Sequence, residues 1–118
     1  MFDYRDLTVW WKAREVVVST YELTRQYPAA ERFGLTAQTR RAAVSVVANL
    51  AEGCGRRGKG ELARFVDIAT GSAYELECHL LLAHDLGFLS DDGWEGISAD
   101  VDEVKRMLIG LSRSLRQA

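Results

Sequence analysis

Between Gly53 and Lys59 the chain reads Gly-Cys-Gly-Arg-Arg-Gly-Lys, which fills the first seven places of a phosphate-binding loop, G-x-x-x-x-G-K. Such a loop needs a hydroxyl in the eighth place to hold magnesium. It also needs a preceding strand that aims backbone amides at a phosphate. Position 60 is glycine, and the residues before Gly53 have a helical pattern. The heptapeptide is therefore read as a flexible glycine-rich link between helices. Its cations then sit at a helix carboxyl end, where they favour the dipole.

Other chemistries are tested the same way. His79 and His84 are five residues apart and so point to different sides of a helix. The chain has no Glu-x-x-His unit of the kind a di-iron bundle needs. Cys78 beside His79 lacks zinc-site spacing. One histidine near an abundant serine is no basis for a nucleophilic triad. No catalytic residue, metal or cofactor is expected. Glu75 and His79, at i and i+4, are expected to form a hydrogen-bonded pair on a surface or an interface.

Two constellations remain. Gln38, Arg41, Ser45, Asn49 and Glu52 recur at spacings of three and four, so they share one helix face. Ser and Asn are mediocre helix formers, so two of them in one mid-helix row suggest a use. With Ser72 and Glu75 of the next helix they form either a solvated face or a buried polar network that fixes helix register. Arg41 is the expected partner of Glu75. The second constellation is cationic: Arg40, Arg56, Arg57, Lys59 and Arg64, with no exposed aromatic among them to stack on a base. It reads as a nucleic-acid contact or as a solvated or subunit-facing charge set.

The elements that must carry these residues are helices. A first helix over about 7–27 has one apolar stripe of Leu7, Trp10, Val17, Tyr21 and Thr24, and a second of Val9, Val16, Leu23 and Tyr27. That arc is wider than one bundle core needs. Pro28 ends the helix. A second helix, about 36–56, is rich in Ala and Val, which allows close backbone approach. A third, about 61–86, buries Leu62, Phe65, Val66, Ala69, Ala73, Leu76, Leu80 and Ala83, with Gly87 as its stop. A fourth, about 91–116, carries Trp94, Ile97, Val101, Val104, Leu108, Leu111 and Leu115 in unbroken alternation of three and four. Short links between four helices predict one all-α domain over residues 1–118, an antiparallel up-and-down four-helix bundle.

At 118 residues, 47% apolar and 27% charged, the chain is ordinary for a single globular domain. No run of about 18 apolar residues suggests a membrane span. The first residues lack the form of a signal peptide, so a cytoplasmic location is expected. Cys54 and Cys78 fall within helical patterns and are expected to be reduced. Net charge is −2 but uneven: residues 31–65 hold seven basic and three acidic groups, residues 66–118 four basic and ten acidic. Such a division suits either phosphate attraction at the middle or complementary patches on neighbouring subunits.

Several motifs together resemble one family. They are Asp6-Leu7-x-Val9-Trp10-x-Lys12-Ala13, Tyr27-Pro28-x-x-Glu31-x-Phe33-Gly34-Leu35-Thr36-x-Gln38, Arg40-Arg41-Ala42-x-x-Ser45, Asn49-Leu50-Ala51-Glu52-Gly53, Ala69-x-Gly71-Ser72-x-x-Glu75 and Leu86-Gly87-Phe88-Leu89. Over nearly its full length the chain resembles the 23S rRNA intervening-sequence proteins. The resemblance implies a bundle that assembles into a ring of five and implies no established activity. A related bundle, the accessory protein of diversity-generating retroelements, is a basic five-membered ring that binds nucleic acid. Val47 stands where many relatives carry proline, which predicts a straighter second helix.

The expected function is that of a non-enzymatic homo-oligomeric scaffold or adaptor, whose partners are itself and an unidentified protein. The alternative is an accessory protein that binds RNA or DNA weakly through the arginine cluster. Val9, Val16, Leu23, Ile68, Leu82 and Leu86 are the expected subunit-facing residues, since a monomer would leave them partly in water.

Overall fold

The computed structural model describes residues 1–117. Two short 3-10 turns, Tyr4–Asp6 and Ala29–Glu31, precede the first and second of four helices: α1 Thr8–Thr24, α2 Leu35–Gly55, α3 Gly58–Asp85 and α4 Asp91–Arg116. No strand occurs among the described residues. Each helix packs on its neighbours in cyclic order, α1 on α2, α2 on α3, α3 on α4 and α4 on α1, in a body of 47 × 24 × 19 Å. This is the expected antiparallel four-helix bundle; Ala118 lies outside the described residues. No described helix is long and apolar enough to cross a membrane.

Leu50, Leu62, Leu76, Leu80, Leu108, Val66 and Val101 lie fully inside. Each leucine buried in this way contributes on the order of 2 kcal/mol. The expected core faces of α3 and α4 hold. α1 is different. Its buried stripe is Val9, Ala13, Val16, Thr20 and Thr24, continued by Tyr27 in the turn. Val9 and Val16, expected at a subunit surface, are core residues at 4% exposure. The reason is that small and polar side chains complete their stripe. Thr24 enters the core by donating its hydroxyl hydrogen to the Thr20 carbonyl oxygen at 2.7 Å. The outer arc instead exposes Trp11, Val18 and Tyr21.

The expected flexible link is also absent. Only Arg56 and Arg57 separate α2 from α3. Gly53 is buried where the two helices meet, and a β-carbon there would lie 2.6 Å from Phe65 Cβ. It is a packing residue, not a hinge. Gly58 enters α3 with φ +83°, which glycine adopts without steric cost. At the other end of α3, Gly87 at φ +80° lets its N–H reach the His84 carbonyl oxygen at 3.0 Å and the Phe88 N–H reach that of Ala83 at 2.9 Å. That is a Schellman closure, and it confirms the expected stop. Ser90 Oγ then caps α4 by accepting from the Gly93 N–H at 3.0 Å.

Candidate functional site

Antiparallel packing of α2 on α3 sets Ser45 level with Ser72, their Oγ atoms 2.8 Å apart. Asn49 donates to the Ser45 carbonyl oxygen at 2.8 Å and to its Oγ at 2.9 Å. These three half-buried residues are the polar network, and they tie the registers of the two helices at one height. The rest of the expected row does not join it. Gln38 is exposed, and exposed Glu52 holds Arg56 at 3.0 Å. Glu75 pairs with His79 at 3.1 Å, as the spacing suggested. Arg41 and Glu75 are both exposed, and no ion pair joins them within the chain. The turns that bring these helices together leave the two side chains on the outer surface, where water solvates each.

The cationic cluster is two clusters. Arg40 lies near the amino end of α2 and Arg56 just beyond its carboxyl end, about 24 Å apart along the axis at 1.5 Å per residue. At the far end Arg56 and Arg64 are committed to Glu52 and Glu61, both at 3.0 Å, and flank the Phe65 ring. The hydrogen bond to Glu61 raises Arg64, and the same bond holds the Glu61 carboxyl below its usual range. Arg57 and Lys59 stay exposed beside them.

At the near end a feature appears that the spacing did not reveal. Tyr21, Arg32, Phe33, Thr36, Ala37, Arg40, Arg41, Val44 and Ser45 line an open depression of about 610 Å³. It holds three arginines and no carboxylate. Phe33 is 86% exposed, with Arg32 at 5.2 Å from its ring centre, and Arg40 lies 4.5 Å from that of Tyr21. Arg40 is immobilised there, donating to Thr24 Oγ1 at 2.8 Å. Exposed aromatics therefore do interleave with arginine, contrary to the expectation, but around Arg32, Arg40 and Arg41. The available signal was Phe33 set between Arg32 and Gly34.

Along α3, Ile68, Ser72, Glu75, His79, Leu82 and Leu86 alternate spacings of four and three, so they share the side that meets α2. Ile68, Leu82 and Leu86 are 41%, 46% and 60% exposed and Leu23 is half-buried, so all four lie partly in water in the single chain. His79 lies mostly under this surface, with its Nδ1 buried and unpartnered. Cys54 is buried, which raises its thiol pKa, and Cys78 is exposed; neither is in a disulfide. Among the described residues no three of His, Cys, Asp and Glu gather as a metal site.

A family model described as 23S rRNA-intervening sequence protein matches residues 5–110. The fold matches a crystal structure of a protein of unknown function from the S23 ribosomal protein family of Bacteroides thetaiotaomicron VPI-5482. The TM-score is 0.83 at 23% identity, over 90% of this chain and 99% of that one. No curated protein matches the chain at a significant level.

Proposed function

The chain belongs to the 23S rRNA-intervening sequence protein family, and from that premise we propose that it is a non-enzymatic, ring-forming homo-oligomeric scaffold or adaptor. One observation carries this reading. The outer row of α3 keeps Ile68, Leu82 and Leu86 in water beside a bundle whose core is already complete. Covering such side chains gains about 25 cal/mol per Å² of apolar surface, and a second copy is the partner always at hand. The number five rests on the family resemblance. Light scattering of the full chain at micromolar concentration is expected to give a multiple of 13.2 kDa. Leu82→Arg with Leu86→Arg is expected to lower that mass. A wild-type monomer would overturn the proposal.

The second reading, nucleic-acid binding at the carboxyl end of α2, draws support from the exposure of Arg57 and Lys59. The carboxylates on Arg56 and Arg64 count against it. Weak, sequence-independent binding of labelled single-stranded RNA at low salt, lost at physiological salt, is the expected result. Tight binding at physiological salt that disappears with Arg56→Ala and Arg57→Ala would put this reading first.

A further inference from the structure

We infer that the depression around Arg32, Phe33 and Arg41 receives the carboxyl-terminal end of α3 from a second copy of the chain. Leu82 and Leu86 would cover Phe33 and Val44, while Asp85 and Glu75 face Arg32 and Arg41. The contact rests on the oligomer reading above and supplies its geometry.

Charge complementarity selects this occupant. The depression is lined by arginine and apolar groups without a carboxylate. The end of α3 offers the opposite charge, two leucines about half exposed beside carboxylates whose side chains are 59% exposed at Glu75 and 66% at Asp85. Both surfaces carry apolar groups to cover, and their charges are opposite in sign.

Height along the bundle permits the contact. Rotation about an axis parallel to the bundle keeps every residue at its own height, so a ring joins only surfaces at one level. The Ser45–Ser72 hydrogen bond fixes the levels of α2 and α3. Going from Ser45 back to Arg41 and from Ser72 on to Glu75 moves the same way along the axis by about one turn. Phe33, just before α2, and Leu86, just after α3, lie at the same end of the bundle. Because depression and α3 end are different surfaces, the contact is heterologous, and such contacts repeat around a ring until it closes.

The test is charge reversal read by sedimentation velocity on the full chain, with helicity checked by circular dichroism. Arg32→Glu with Arg41→Glu is expected to weaken association at least tenfold, as is Glu75→Arg with Asp85→Arg. The chain carrying all four substitutions is expected to regain assembly, which a merely misfolded variant would not do. If wild type assembles and both reversed pairs assemble equally well, the contact is wrong while the scaffold reading stands. A folded four-fold variant that stays dissociated also overturns the contact. If reversal at Arg32 and Arg41 spares assembly but abolishes binding of labelled single-stranded RNA, the depression belongs to nucleic acid instead. A wild-type monomer removes the oligomer and this contact together.

Discussion

The two seams of α4 and the two seams of α2 are built from opposite materials. Across α4 the charges are paired. Lys12 of α1 reaches Asp100 at 3.2 Å and Glu103 at 3.4 Å, Lys105 reaches Glu77 of α3 at 2.6 Å, and Arg116 binds Asp67 of α3. His84 of α3 meets Asp91 at 2.6 Å. Among the described residues every ion pair that joins two helices has a partner on α4. α2 is held by close approach of small residues and by two hydroxyl contacts, Ser45 with Ser72 of α3 and Arg40 donating to Thr24 of α1. Its outer arginine, Arg41, is left to the solvent, beside the apolar row of α3. The seams of α4 satisfy their own charges within the chain and ask nothing of a partner. The side whose charges and leucines are unmatched is where one is needed.

The largest expected effect follows from how closely α2 approaches α3. Gly53→Ala places a methyl 2.6 Å from Phe65 Cβ and 3.1 Å from Leu62 Cδ1. The helices must part, at a cost of about 2 kcal/mol. That exceeds the gain of up to about 1 kcal/mol that alanine brings to a helix interior. Gly110→Ala on α4 is the control: its β-carbon would meet nothing within 4 Å. It is expected to stabilise by about 0.5–1 kcal/mol. Urea melts of the two variants should move in opposite directions. Movement in the same direction would show that the α2–α3 seam has room for a methyl at Gly53.

The seams were also unequally legible in the sequence. α4 could be read because its core positions, from Ile97 through Leu108, are all large and apolar, and its register had no competitor. α1 offers two adjacent stripes, and Val9 and Val16 of the second are expected at a subunit surface. The core takes Val9, Val16 and Tyr27 from that stripe and Thr24 from the other, joined by Ala13 and Thr20, residues that periodicity weighs lightly. Gly53 has the local signature of a helix breaker, because its role depends on the distance to another helix, which no local pattern encodes. At the candidate site, Ser45, Asn49 and Ser72 could be found because they share a face on adjacent antiparallel helices. The depression could not: Tyr21 and Arg40 are brought together by the turn between α1 and α2. The pairing of Arg41 with Glu75 failed within the chain for a related reason. Neighbouring height places two residues side by side, but exposure decides whether they need each other.

A middle-sized effect comes from removing one cation on each side. Lys105→Met deprives Glu77, 30% exposed, of its partner and is expected to cost about 1 kcal/mol. Arg41→Met removes a charge with no carboxylate in its own chain and is expected to change the concentration-independent part of a urea melt by less than about 0.5 kcal/mol. The concentration-dependent part, which reports assembly, should weaken in the Arg41 variant and not in the Lys105 variant. The reverse pattern would place the subunit contact on the α4 side and undo the comparison.

The smallest expected effect is a pH dependence confined to the α4 side. Ser112 Oγ donates to Asp67 Oδ1 at 2.6 Å, and this bond holds the Asp67 carboxyl below its usual range against the opposing effect of burial, with Arg116 adding to the lowering. A carboxyl whose folded pKa is depressed gives stability that is complete above its unfolded value of about 3.9. That stability is lost as pH falls through the folded value. Asp67 is half exposed, so solvent screening keeps the contribution below about 1 kcal/mol. Asp67→Asn is therefore expected to cost a little stability at neutral pH and to flatten the loss as pH falls below about 4. Arg41→Met, whose carboxylate partners would belong to a second copy, should leave that acid limb as in wild type when the melts are run below the concentration at which the chain assembles. Thermal melts stepped through the acid range would decide it. If Asp67→Asn leaves the limb as steep as before, the short bond to Ser112 does not persist in solution, and α4 is less self-satisfied than its geometry implies. If Arg41→Met flattens it in the dissociated chain, Arg41 has a carboxylate partner within its own subunit, and the α2 side is as self-satisfied as the α4 side.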